Sequence, residues 1–241
     1  MSPSSSIDTG PTHTKPRDVE VFDADIAEIA RARHTAKAYK RQNLSEAEID
    51  RLLTLLRFSS SSVNSQPWHF VVATTAEGRD RIAKAGADDN YPFNSDSIRA
   101  AGMVVVFAGR LEADEAYLDH LLEVEDADGR FPEPKNKSEW KTARAGFIDS
   151  ARDETGSAHG WMARQTYWNG GGFILGAAAM GLDATPMEGI DAKGLDAEFG
   201  LNEKGYTALF AVCVGRNDDG EDYNAGLPKS RLPLSETVTR L

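Results

Sequence analysis

Between Phe58 and Phe70 the chain reads FSSSSVNSQPWHF, which gathers five hydroxyls (Ser59 to Ser62 and Ser65), two amides (Asn64 and Gln66) and the His69 imidazole. Groups of this kind at this density suit hydrogen bonding to a polar ligand. A Ser-rich linker is the competing reading, but linkers are rarely followed at once by Trp and a β-branched run. A second chemical feature is RARHTAKAYK, where Arg31, Arg33, Lys37 and Lys40 surround His34 within ten residues. Lys229 and Arg231 in LPKSRLP form a further cationic pair. In a chain of formal charge −11 such clusters stand out, and a few cations with backbone donors can hold a small phosphorylated ligand locally.

Several other chemistries lack their residues. There is no Walker motif, G-x-S-x-G elbow, H-E-x-x-H or paired CxxC, so phosphoryl transfer, serine hydrolysis and zinc chemistry have no support. The triplet in WNGGGFILGAAAMG fails the dinucleotide fingerprint because Leu175 occupies the last glycine position and no strand precedes it. The acid pairs of EVEDADGRFPEPKNK resemble half a calcium loop. Val124 would have to be its first ligand and Lys135 its closing Glu, so the segment reads as an acidic surface loop. The five histidines are scattered, and no metal site is expected.

The elements that must position these groups follow from periodicity. Val21 to Ala32 has helical spacing. Ser45 and Glu48 form a capping-box pattern ahead of Ile49, Leu52, Leu53 and Leu56. Pro67 ends the polar run and pushes Gln66 out of helical conformation, so a buried strand begins at Trp68. Glu77 to Ala87 reads as a helix, a further helix starts near Ser95, a second buried strand follows Gly102, and helical spacing returns from Leu111 to Val124. Trp140 to His159, with few apolar anchors, reads as a mobile excursion that could act as a lid. Trp161 to Met180 is a long helix closed by Gly181, with internal glycines suited to close helix packing. A short helix near Leu195 and a third buried strand, Tyr206 to Gly215, complete the pattern.

The 241 residues suffice for a core that buries most of its apolar surface. Residues 1–20 read as a disordered tail and 21–241 as a single domain. The acidic balance argues against nucleic acid as a partner. With no apolar run of membrane-spanning length, no signal-like segment and one buried thiol, Cys213, the expectation is a cytoplasmic protein.

Taken together and in order, RHTAKAYK, FSSSSVNSQPWHFVVATT, LDATPMEG, DAEFGLNEKGYTALFAVCVG and LPKSRLP resemble the oxygen-insensitive NAD(P)H nitroreductases. These overlap with the dihydropteridine reductases of the FMN-dependent nitroreductase family. The resemblance covers about Ile26 to the C-terminus. It implies an α+β nitroreductase fold, with a central, mainly antiparallel sheet flanked by helices. It also implies an intertwined homodimer with FMN at the interface and NAD(P)H as hydride donor. Nitroaromatics, quinones or pteridines would be reduced by two-electron ping-pong transfer. A flavin-storage protein without turnover, or the same fold performing dehalogenation or flavin breakdown, are the alternatives.

Carried over by position, Arg33, Lys229 and Arg231 would bind the FMN phosphate together with His34 and Thr35. Ser61, Ser62 and Asn64 would meet the flavin from the partner chain, and Lys37 and Asn94 would bond its pyrimidine edge. Gln165, Pro186, Met187, Glu188 and Gly189 would lie along the other side. Lys37, Glu188 and Phe147 are the expected catalytic residues, with Glu188 positioning nicotinamide and Phe147 gating access as a mobile aromatic. Ser97 stands where relatives of the family place a Lys near the flavin O2, which bears on redox tuning.

Overall fold

The structure, a computed structural model, describes residues 25–241. The tail expected over residues 1–20 and the expected helix start at Val21 lie outside the described residues. Helix α1 (Ile26–Ala32) opens on Asp25, whose carboxylate accepts from the amides of Ala27 and Glu28, yet the helix buries none of its residues. Helix α2 (Glu46–Arg57) opens on the full reciprocal capping box of Ser45 and Glu48 and buries Ile49, Leu52 and Leu56. Strand β1 (Trp68–Ala73) follows the polar loop, and α3 (Ala76–Gly86) and α4 (Pro92–Ala100) lead to β2 (Met103–Arg110). Helices α5 (Glu115–Ala127), α6 (Pro134–Ser150) and α7 (His159–Ala179) precede β3 (Asp183–Met187). Helix α8 (Ala192–Phe199), β4 (Tyr206–Gly215) and the short α9 (Leu234–Thr237) end the chain.

The four strands form one sheet in the order β1-β2-β4-β3, and every neighbouring pair is antiparallel. Side-chain alternation along β2 builds a core on each face. Val104, Val106 and Ala108 join Ile82, Ile98 and Leu195 under α3, α4 and α8. Met103, Val105 and Phe107 join Leu52, Leu56 and Phe173 under α2 and α7. Phe107 stacks on Phe210 at 4.5 Å and meets Phe70 edge-on at 5.2 Å. Burial of each such side chain is worth about 1.5–3 kcal/mol.

Five expectations are corrected by the packing. Strand β1 is an edge strand in which only Ala73 is fully buried, because among the described residues no strand pairs with its outer side. Helix α4 starts at Pro92 rather than near Ser95, since proline at the first helical position needs no amide partner. Strand β3 was not expected, so Tyr206–Gly215 is the fourth strand; Pro186 inside β3 is tolerated because β3 is the other edge. Most of the excursion expected over Trp140 to His159 is the end of α6, held by buried Arg144 and Ile148 instead of an apolar stripe. The acidic segment after Val124 is not all surface loop, because α5 runs on to Ala127 and buries Glu125.

The glycines of α7 divide into two groups. A Cβ at Gly170 would come within 2.5 Å of the Phe210 ring, and one at Gly176 within 2.5 Å of Leu55, so these two permit close packing inside the chain. Gly171 and Gly172 face open space. Gly181, at φ +74°, ends the helix as expected.

Candidate active site

The polar loop before β1 has an unusual backbone. Val63, Asn64 and Gln66 hold φ of 49°, 51° and 43°, in the left-handed region that β-branched residues in particular avoid. Such residues cost on the order of 1–3 kcal/mol each and persist only when their surroundings impose the shape. Here the surroundings do. The Gln66 amide donates to Ser61 Oγ at 3.0 Å and the Ser62 amide to Gln165 Oε1 on α7 at 2.9 Å. From α5, the Tyr117 hydroxyl donates to the Gln66 carbonyl at 2.7 Å, and Glu125 Oε1 accepts from Asn64 Nδ2 at 2.7 Å. From α6, Arg144 Nε donates to the Val63 carbonyl at 3.1 Å. Gln165 is buried and, through this bond, holds the loop. Pro67 thus displaces Gln66 from the helical region as expected, but into positive φ instead of an extended conformation.

The segment from Arg33 to Lys37 is held against the other side of the sheet. Thr185 Oγ1 on β3 donates to the Ala36 carbonyl at 2.7 Å and accepts from the Tyr39 hydroxyl at 2.8 Å. The buried Asp222 carboxylate accepts from the Lys37 amide at 3.0 Å and lies 2.8 Å from His34 Nε2. Burial alone would raise the Asp222 carboxyl, but these two bonds, with a third from the Asn224 amide, outweigh it and hold it below the ordinary range. Between buried Ala36 and Tyr39, the half-buried Lys37 lines a cavity of about 420 Å³ together with Phe93 and Ser97. A neighbouring cavity of about 510 Å³ is lined by His34 and Lys229, and Lys40 lines both.

The expected cationic group is assembled from both ends of the chain. Arg33 Nη1 donates to Thr35 Oγ1 at 3.3 Å. Lys229 Nζ donates to the carbonyls of Ala30, Arg31 and Arg33 at 3.0, 2.5 and 2.8 Å, so in this arrangement it caps the end of α1. Desolvation, with Arg33 and Arg231 nearby, pushes the Lys229 ammonium below its ordinary pKa. The three like charges therefore favour an anion among them.

A third group lies at the end of β3. The Met187 side chain turns into the core, where its sulfur lies 3.9 Å from Cys213 Sγ, while Pro186 and Glu188 on either side of it are exposed. Asn94 Nδ2 donates to the Gly189 carbonyl at 2.8 Å, which joins two expected site residues. A Cβ at Gly189 would lie 2.8 Å from that same amide nitrogen, so a larger residue there would push the Asn94 amide aside. The Tyr167 hydroxyl donates to Glu188 Oε1 at 2.6 Å, and its ring stacks on Phe210 at 4.6 Å. Desolvation and the adjacent carboxylate raise the Tyr167 hydroxyl to about 12, so it stays a donor at neutral pH. Phe147, on α6, is 44% exposed, with its ring 5.9 Å from Trp161.

Periodicity and motif reading missed Asp222, Tyr167, Tyr117, Glu125 and Arg144. Asp222 lies 188 residues from His34, and nothing local to it signals the contact. Glu125 and Arg144 sit in segments whose charge made them read as surface. His69 packs its ring against Tyr206 at 5.3 Å, and burial lowers its pKa. Among the described residues no cluster of His, Cys, Asp or Glu could hold a metal ion, and no helix is long and apolar enough to cross a membrane.

Comparison with known proteins gives a consistent result. A family profile described as "Nitroreductase family" matches residues 30–216. The chain is 50% identical to the oxygen-insensitive NAD(P)H nitroreductase of Salmonella typhimurium over 218 residues, which is 90% of this chain and 100% of that protein. It is 33% identical to the major NAD(P)H-flavin oxidoreductase of Aliivibrio fischeri, across 87% of this chain and 95% of that one. Among solved structures, a protein from Exiguobacterium sibiricum described as a nitroreductase in complex with FMN superposes with a TM-score of 0.73. That likeness, at 19% identity, covers 92% of this chain and 100% of the other, and it concerns the fold.

Proposed function

The chain belongs to the nitroreductase family. From that premise we propose that it is an FMN-dependent oxidoreductase that takes hydride from NAD(P)H and passes two electrons to a nitroaromatic, quinone or pteridine acceptor. The observation that carries the proposal is the convergence of Arg33, Lys229 and Arg231, from opposite ends of the chain, beside His34 and Thr35. A phosphate is the anion such a cationic cluster fits, with Arg33, Arg231 and Thr35 as donors and Lys229, whose N–H groups cap α1, as a nearby charge.

The remaining residues suit the other parts of FMN. The Lys37 ammonium, anchored through its own backbone by Asp222, would hold the negative charge that develops at the pyrimidine edge on reduction. Asn94, fixed to Gly189, would bond the same edge, and the Ser61–Asn64 loop would supply hydroxyl and amide contacts from a second copy. Bound FMN supplies the redox chemistry, accepting a hydride and giving up two electrons to the acceptor. Glu188, oriented by Tyr167, would position nicotinamide, and Phe147 would screen what enters. Protons would come from water or from the flavin itself, so no side chain need act as general acid.

A homodimer is part of the same reading. Helix α1 buries nothing within the chain, Trp168 is 67% exposed, and Leu232 and Leu234 near the C-terminus are more than half exposed. The open side of Gly171 and Gly172 would let a second backbone approach α7. A large apolar interface of this kind is typical of obligate dimers. The reading also places the enzyme in the cytoplasm, where its donor NAD(P)H is regenerated.

The deciding experiment is anaerobic titration of the purified yellow protein. NADH or NADPH should bleach the flavin absorbance, and a nitroaromatic or quinone should restore it in a two-electron stoichiometry. Protein that binds FMN but is not bleached would be a flavin store, and the proposal would be wrong.

A further inference from the structure

Arg144 is fully buried and Glu125 nearly so, and besides Arg144 helix α6 buries only Ile148. Arg144 Nη2 donates to both carboxylate oxygens of Glu125, at 2.7 and 2.6 Å. The face of Trp140 covers the guanidinium, with its centroid 5.3 Å from Cζ. Removing two charges from water costs about as much as their attraction returns, so a buried pair of this kind adds little stability over apolar residues of the same volume. Its contribution has to be sought in geometry.

Both members reach the same place. Arg144 Nε donates to the carbonyl of Val63, and Glu125 Oε1 accepts from the side chain of Asn64. These are two adjacent residues held at positive φ in the loop expected to meet the flavin. One N–H of the Asn64 amide is committed to the Glu125 carboxylate, which fixes the orientation of that amide and leaves its Oδ1 and second N–H for a ligand. Phe147 follows Arg144 by one helical turn, so the pin that shapes the loop also fixes the helix that bears the expected gate.

We propose that the Glu125–Arg144 pair is a positioning device, pinning Val63 and Asn64 in their left-handed shape and fixing the orientation in which the Asn64 amide meets the cofactor. The cofactor in this statement rests on the flavin reading above, whereas the pinning of the loop does not.

Two variants keep the buried charge balanced. Arg144→Lys retains a cation for Glu125, but a single ammonium cannot span Glu125 and the Val63 carbonyl as the guanidinium does. The double replacement Glu125→Met with Arg144→Met removes both charges and leaves neither unpaired. Full-length protein is compared by hydrogen exchange of the 61–66 amides without added flavin, and by FMN affinity and release rate from fluorescence. Each folded variant should exchange faster in that loop with β2 and β4 unchanged, and should release FMN about tenfold faster. Should the double replacement fail to fold, Arg144→Lys decides alone. Wild-type exchange in the loop of a folded variant overturns the pinning. Faster exchange with unaltered FMN release overturns the link to the cofactor. Wild-type protein that binds no FMN defeats the functional reading, and loop exchange in the variants then decides by itself whether the pair pins the loop.

Discussion

The Tyr167 hydroxyl donates a 2.6 Å hydrogen bond to Glu188, tying the exposed face of α7 to the end of edge strand β3. Glu188 would otherwise be an exposed carboxylate free to choose among rotamers. Stacking of the Tyr167 ring on Phe210 fixes the phenol, and the phenol fixes the acid. Tyr167→Phe keeps the stack and removes only the donor. If Glu188 positions nicotinamide, this variant should raise KM for NAD(P)H a few-fold, with the acceptor half-reaction unchanged. Steady-state kinetics with both substrates varied would show it, and an effect confined to the acceptor would assign Tyr167 elsewhere.

Arg231→Ala should weaken FMN by about 1.5–3 kcal/mol while leaving riboflavin affinity nearly untouched, since only the phosphate loses a charge-assisted contact. Isothermal titration with both flavins measures the difference. Equal losses for the two would remove Arg231 from the phosphate site.

Phe147→Ala should speed reduction of bulky nitroaromatics relative to small ones while altering NAD(P)H oxidation less, because the exposed ring leans on Trp161 and can move without disturbing the core. Stopped-flow measurement of the two half-reactions separates these effects. Identical changes for large and small acceptors would end the gate assignment.

Ser97 and Lys37 line the same cavity of about 420 Å³, which gives the missing cation at Ser97 a physical setting. A charge in a partly wet pocket is worth roughly 1 kcal/mol, or on the order of 20 mV for a two-electron couple. Ser97→Lys should raise the FMN midpoint potential and Lys37→Ala should lower it. Spectroelectrochemistry on the three proteins tests both signs.

Glu48 gives a pH dependence of stability. Hydrogen bonds from the Ser45 amide and hydroxyl, with Arg216 in support, lower its carboxyl from 4.5 to about 2. A depressed folded pKa means that the charged form stabilises the fold. Its contribution is therefore complete above pH 4.5 and is lost as the pH falls toward 2. Wild type should exceed Glu48→Gln in Tm at pH 6, with the gap narrowing through that window and closing near pH 2. Ser45→Ala should cost about 1 kcal/mol from the lost cap. A gap independent of pH would show that Glu48 acts only through shape.

Local rules were enough for the elements whose causes are local. The capping box starts α2 because Ser45 and Glu48 are three residues apart, and Pro67 ends the polar loop because it has no amide and restricts Gln66. The buried runs of β2 and β4 and the glycine at the end of α7 were legible for the same reason. The cationic clusters themselves were legible too, because they stand out in an acidic chain. What required tertiary structure was every relationship between residues far apart in sequence. Pairing decided that β1 is an edge strand and that a five-residue, proline-containing segment is β3. Packing decided that Glu125 and Arg144, charged residues in polar segments, are buried against each other. A sequence pattern assigns a charge to the surface because burial of one alone is prohibitive; only the fold brings up the second charge, and the loop carbonyl and amide, that make burial possible.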